Sequence, residues 1–170
     1  MSEEKLTIKM TPPPVRRVIT GHSADKKAVV VADSVASIVK AKEHSASTTI
    51  WSSLSIPVEV EGEGFTVDPA TRYPGSGAPA NGVRLMVMDL EPGAKGNMHR
   101  TNTVDLVTCL EGEIEMLLPD SSVRLKAGEI LVQQSTIHAW TNPGKVRARL
   151  AITLIDAVPL VEGFPPARGG

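Results

Sequence analysis

One cysteine, four histidines and no surplus of either charge narrow the reading of this 170-residue chain before any motif is considered. The lone cysteine, Cys109, cannot close an intrachain disulfide, and such sparse usage fits a reducing compartment. Eighteen basic and 19 acidic residues leave a formal charge of -1 with neither sign in a long run. The basic stripe that grips nucleic acid is missing. No uninterrupted apolar segment is long enough to cross a bilayer. The opening MSEEKLTIKMTPPP is polar and lacks the apolar centre of a secretory signal. Nor is there a P-loop, a dinucleotide fingerprint, a Ser-His-Asp signature or an internal repeat. The expectation is a cytoplasmic protein with a small-molecule ligand and neither nucleic acid nor membrane as partner.

What the chain does contain is a series of short β-prone runs. With 41% apolar residues it can bury one sizeable core. After PPP at 12–14, VRRVITGH (15–22) and KKAVVVADS (26–34) read as a hairpin, and TIWSSLSI (49–56) as a strand. Between them, 34–47 reads as a weak short helix or a loop. Residues 61–82 are dense in glycine and proline and read as an irregular crossing loop. From residue 83 onward the breakers fall regularly. Segments 83–91, 104–111, 113–119, 122–127, 129–134, 137–141 and 145–155 are rich in Val, Ile and Leu, and Gly or Pro-Asp-Ser clusters separate most of them. Val83, Leu85 and Val87 alternate with Met86 and Met88, so that strand is apolar on both faces, as in a sandwich or barrel. Four regions are expected: a flexible polar leader (1–14), N-terminal strands and loop packed on the barrel (15–82), the barrel core (83–156) and a loose tail (157–170).

Two motifs within the barrel segment bear on chemistry. The first runs Gly93, five residues, His99, one residue, Thr101, three residues, Asp105, six residues, Gly112. On an extended strand His99, Thr101, Thr103 and Asp105 share one face, while Arg100 and Asn102 are expected to face outward. The second follows Gly128 and reads QQSTIHAWTN, where parity groups His138 with Trp140 and Asn142. This wording resembles the cupin superfamily, whose first motif is Gly, five residues, His, one residue, His, three or four residues, Glu, six residues, Gly. Every spacing matches; Thr101 stands at the second histidine and Asp105 at the glutamate. In the second motif Gln133 and Ser135 occupy the proline and glycine positions.

The resemblance covers residues 83–156 closely and implies an all-β jelly-roll barrel, or double-stranded β-helix, with an N-terminal β-hairpin extension. It also implies that His99, Asp105 and His138 meet inside the barrel. Two imidazoles and a carboxylate are a ligand set for iron(II), and suit manganese(II) or zinc(II). Thr101, Gln133, Trp140 and Arg84 are the expected pocket residues, with Arg84 a candidate anchor for a carboxylate. His22 and His44 receive no role, and Cys109 is read as a small buried hydrophobe. The implied activity is a metal-dependent, lyase-like enzyme (decarboxylase, dehydratase or cyclase) acting on an oxygenated carboxylic or aromatic metabolite. An iron(II) oxidoreductase or dioxygenase is the second reading, and a metal-free binding or sensor module the third. A homodimer is expected, paired through the valine-rich N-terminal strands.

Overall fold

The computed structural model describes residues 9–60 and 64–160 and is built almost wholly from antiparallel strands. In chain order they are β1 (Arg16–His22), β2 (Ala28–Val35), β3 (Ile38–Ala41), β4 (Ser45–Ser53), β5 (Val83–Leu90), β6 (Thr103–Glu111), β7 (Glu113–Leu117), β8 (Ser122–Lys126), β9 (Ile130–Gln134), β10 (Ala139–Thr141) and β11 (Ala148–Asp156). The one helical element among the described residues is a 3-10 turn at Pro69–Thr71. No helix there is long and apolar enough to cross a membrane.

Two sheets form the barrel. The larger has the order β3-β4-β5-β11-β6-β9, and the smaller β10-β7-β8. Neighbours that are distant in sequence, such as β5 beside β11 and β6 beside β9, are the signature of a jelly roll rather than a meander. Between the sheets lie Met86, Leu90, Val107, Cys109, Leu150, Ile152 and Leu154 from the larger and Ile114, Met116, Leu125 and Trp140 from the smaller. Each occupies the inward position of an alternating strand, so the core follows directly from the two-residue period. Gly112 turns the chain between β6 and β7 at φ 72°, and a Cβ there would lie 2.5 Å from the Arg147 carbonyl oxygen. Only glycine fits that corner.

One expectation is corrected here. Residues 34–47 form neither helix nor loop: β2 runs to Val35, β3 covers Ile38–Ala41, and β4 begins at Ser45, earlier than the expected residue 49. Ala46, Thr48 and Thr49 are buried between the neighbouring strands, and that pairing overrides the weak helical spacing. The leader is also tethered where it is described. Met10 N–H donates to the Lys42 carbonyl, and Arg149 donates to that of Pro13. Residues 1–8 and 161–170, the rest of the expected leader and most of the expected tail, lie outside the described residues.

The β1–β2 hairpin forms as expected but as a separate two-stranded sheet. Its main tie to the barrel is Arg17, buried at 7% exposure, whose guanidinium donates to the Ile50 carbonyl and to both carboxylate oxygens of Asp68. Arg17 holds the Asp68 carboxyl below the usual aspartate range, chiefly through that hydrogen bond. A carboxyl with a lowered folded-state pKa stabilises fully above its unfolded value, near pH 4, and progressively less as pH falls through the folded value. Thermal melts at pH 6 and pH 3 should therefore differ more for the parent protein than for an Asp68→Asn variant.

Candidate functional site

The site begins with one row across the large sheet. Strand register places Ser52 opposite Arg84, Arg84 opposite Leu154, Leu154 opposite Asp105, and Asp105 opposite Gln133. Opposed residues share a face, and all five are buried. This inner face looks onto a cavity of about 640 Å³. His99, Thr101, Asp105, His138 and Trp140 line it, as the motif parity implied, together with Met86, Met88, Leu90, Ile152 and Leu154.

The two histidines come from segments joined by a single β-bridge, His99 to His138, with backbone hydrogen bonds of 2.9 Å in both directions. Their ring centroids are 4.6 Å apart. His99 Nδ1 lies 2.9 Å from the Asn97 carbonyl, and His138 Nδ1 lies 3.0 Å from the Thr136 carbonyl. The Asn97 carbonyl can only accept, so His99 Nδ1 carries the proton and its Nε2 keeps a lone pair. His138 Nδ1 touches both an acceptor, the Thr136 carbonyl, and a donor, Gln133 Nε2 at 3.1 Å, and only the Thr136 bond leaves its Nε2 a lone pair. Burial lowers the His138 pKa, against the opposing effect of its bond to Thr136, and so favours the neutral ring.

Asp105 is the unusual member. It is 6% exposed, and its Oδ1 is buried without a hydrogen-bond partner. Burial raises its pKa, opposed by a hydrogen bond from Thr103 and by the nearby His99. Thr103 and Thr101 are themselves joined, Oγ1 to Oγ1, at 2.7 Å. Thr101, which stands where the family motif has histidine, thus belongs to the hydroxyl chain that supports the carboxylate.

Gln133 and Arg84 do not line the cavity. Gln133 instead braces His138: its Oε1 accepts the Ser135 N–H, which fixes the amide, and its Nε2 donates to the same Thr136 carbonyl that His138 uses. The Arg84 guanidinium, 1% exposed, donates to the Gly75 and Ser76 carbonyls and to Thr49 Oγ1. All its acceptors are neutral, so it pins the 75–76 loop beside the cavity rather than waiting as an open anchor. Arg100, expected to face outward, is 6% exposed and donates to Asn102 and Ser135. β6 starts only at Thr103, so strand alternation does not reach back to residue 100. Asn142 is structural, donating to the Leu90 and Val146 carbonyls. Trp140 both packs in the core and walls the cavity, edge-on to His138 at 5.9 Å. His44, given no role from sequence, lines the rim with Lys42 and Lys95. Lys42 and His44 lie outside both motifs and Lys95 falls in the unspecified stretch between Gly93 and His99, so only strand order brings the three together.

Do these groups fit a metal? Among the described residues, no three His, Cys, Asp or Glu side chains are grouped closely enough to hold one as they stand. The donor chemistry does fit: His99 presents an Nε2 lone pair, His138 does so in the tautomer bonded to Thr136, and a buried carboxylate oxygen has nothing to bind. A bound ion would require one of these side chains to turn toward the other two.

A family model described as Cupin domain matches residues 86–155. The cupin-domain-containing oxidoreductase srdB of Neurospora crassa is 34% identical over 149 residues, covering 85% of this chain and 75% of that protein. The chain belongs to the cupins. Oryzines biosynthesis cluster protein J of Aspergillus oryzae is 38% identical over 82 residues, and the match spans 46% of its length. Among solved structures, the Schizosaccharomyces pombe Cnp3 cupin domain aligns with a TM-score of 0.52 at 14% identity, over 83% of this cupin and 87% of that chain. That likeness speaks to the barrel alone. One departure from the family pattern has a visible cost: Ser135, at the motif's glycine position, has φ 52°. For a residue with a Cβ this is worth roughly 1–3 kcal/mol of strain. The Ser135 hydroxyl donates to the Thr101 carbonyl at 2.7 Å, which helps to hold it there.

Proposed function

We propose that this cupin is a small-molecule oxidoreductase whose cavity takes up a divalent cation on His99, His138 and Asp105. The observation that carries the reading is the buried, unpartnered Asp105 Oδ1 in a cavity shared with the His99 and His138 imidazoles. A buried acceptor without a partner costs about 1–3 kcal/mol, so its retention points to a ligand. Oxidoreductase is placed ahead of lyase because srdB, similar over most of both chains, carries that name. Bound iron(II) or manganese(II) would polarise a substrate oxygen and supply redox chemistry, whereas zinc would supply only the polarisation.

The chain's own residues do the rest. Asn97 and Thr136 hold the imidazole tautomers, Thr103 orients the Asp105 carboxylate, and the Met86, Met88 and Trp140 wall keeps water from the reacting end. The test is elemental analysis of purified protein, followed by turnover assays with and without an electron acceptor or dioxygen. About one equivalent of a redox-active metal, removed by His138→Ala, supports the proposal; none after reconstitution rejects it. A lyase reading is favoured by one observation, the buried Asp105 carboxyl in one cavity with the His138 imidazole, which burial favours in its neutral form. It would release carbon dioxide or water with no acceptor consumed, which the same assays separate.

Gln133→Leu should weaken metal binding about 10–100-fold with the barrel intact, because it loosens the Thr136 carbonyl and with it the His138 ring. A chelator competition titration measures this. Half-exposed Val18, Val30 and Val35 on the separate hairpin support the proposed homodimer, which light scattering checks.

A further inference from the structure

The cavity has a second end that the metal-binding groups do not use. Along β5 the inward residues run Arg84, Met86, Met88 and Leu90, a span of about 20 Å over six residues. Arg84 shares the row of Asp105, whereas Leu90 pairs with Ser45, beside Lys42 and His44 at the opening. Lys95 faces the opening from the other side. It bridges to Thr141 as His99 bridges to His138, so along that strand the Lys95 and His99 backbones are three partner residues apart, about 10 Å. Between them the wall is apolar: Met86, Met88, Trp140 and Ile152.

The rim's charges are unbalanced. Its acid, Glu43, lies 3.6 Å from His44. The Lys42 and Lys95 ammonium groups have no ion-pair partner among the described residues. A tunnel with a polar floor, an apolar middle and a cationic mouth selects by chemistry as well as by volume.

We propose that the cavity binds an elongated amphiphile with an anionic end, its carboxylate at Lys42 and Lys95 and an apolar body about 10 Å long against Met86, Met88 and Trp140. The opposite, oxygenated end of the molecule reaches His99, Asp105 and His138. Only the identity of that reacting end rests on the proposed function; the rim and the wall do not. Unbranched methionines suit a body whose exact outline varies, because they repack at little cost.

The test is calorimetric titration of the purified protein with decanoate hydroxylated at its terminal carbon and with decanediol, each at low and high salt. The parent should bind the hydroxy acid at least tenfold more tightly than the diol at low salt. That advantage should shrink as salt screens the lysines. It should vanish in a Lys42→Glu, Lys95→Glu double variant, whose exposed positions leave the core untouched. Equal affinity for the two probes, binding of neither, or a preference that the double variant retains would each overturn the proposal. His138→Ala separates this inference from the reading above. If the variant loses metal and keeps its acid preference, the rim is confirmed as the anion site. If the preference disappears with His138 alone, the carboxylate sits at the histidine end and the inference fails.

Discussion

An Asp105→Asn variant is expected to melt at a higher temperature than the parent protein while losing the ability to retain a divalent metal. The two effects share one cause. Asp105 holds a carboxylate at 6% exposure with one oxygen unpartnered, an arrangement that opposes folding in the absence of a ligand. Asparagine keeps the shape and removes the charge. In the metal-free protein this should raise the melting temperature at neutral pH by relieving the burial penalty on the carboxylate; the amide still leaves a polar atom without a partner, so only the charge part of the cost is recovered. In the metal-bound protein the sign reverses, because a neutral amide oxygen is a far weaker ligand; affinity should fall more than 100-fold, beyond the effect of losing an outer support. Differential scanning calorimetry with chelator and with added metal measures both. A variant that melts below the parent with chelator present would show that Asp105 has a structural partner and would remove the main argument for a ligand.

Asp89→Ala should be among the most damaging single changes outside the cavity, at about 3–5 kcal/mol. Asp89 is fully buried on the outward face of β5, where strand register sets it opposite Arg149. The Arg149 guanidinium grips it with two hydrogen bonds of 2.8 and 3.1 Å and also donates to Pro13, while Arg147 lies 3.4 Å away. Removing the carboxylate leaves a mostly buried guanidinium with only the half-exposed Glu111, 3.9 Å away, as counter-charge and loosens the chain at Pro13. Urea unfolding is the measurement. Asp89→Ala paired with Arg149→Met should recover most of the loss, since neither charge is then left alone. A double variant no more stable than the single one would mean that packing, not charge, holds this face.

The barrel could be read from sequence because its signal is local. From residue 83 onward the strands are short runs rich in Val, Ile and Leu, and most end at their own Gly, Pro or Asp. The first motif kept its spacing throughout and the second kept His138 and Asn142 in place, with one residue fewer after Gly128, so His99, Thr101, Asp105, His138 and Trp140 could be placed on the cavity wall without coordinates. Arg84 and Gln133 were misread for one reason. Parity shows that a side chain points inward, but not whether it ends in open space or against a carbonyl. The Gly75 and Ser76 oxygens that occupy Arg84 come from a loop with no alternation to read. The true pocket contributors Lys42, His44 and Lys95 lie in turns and on an isolated bridge, brought together by strand order alone. Asp89 went unnoticed because an aspartate between Met88 and Leu90 looks like a solvated outward residue; its burial depends on Arg149, some sixty residues away.

The bridge between His99 and His138 belongs to neither sheet's ladder. It can come apart by local breathing while the six-stranded ladder keeps its bonds. Warming should therefore disable this protein in two stages, its grip on cargo going first and its architecture only afterward. Cooling would restore the first loss with no refolding of the barrel.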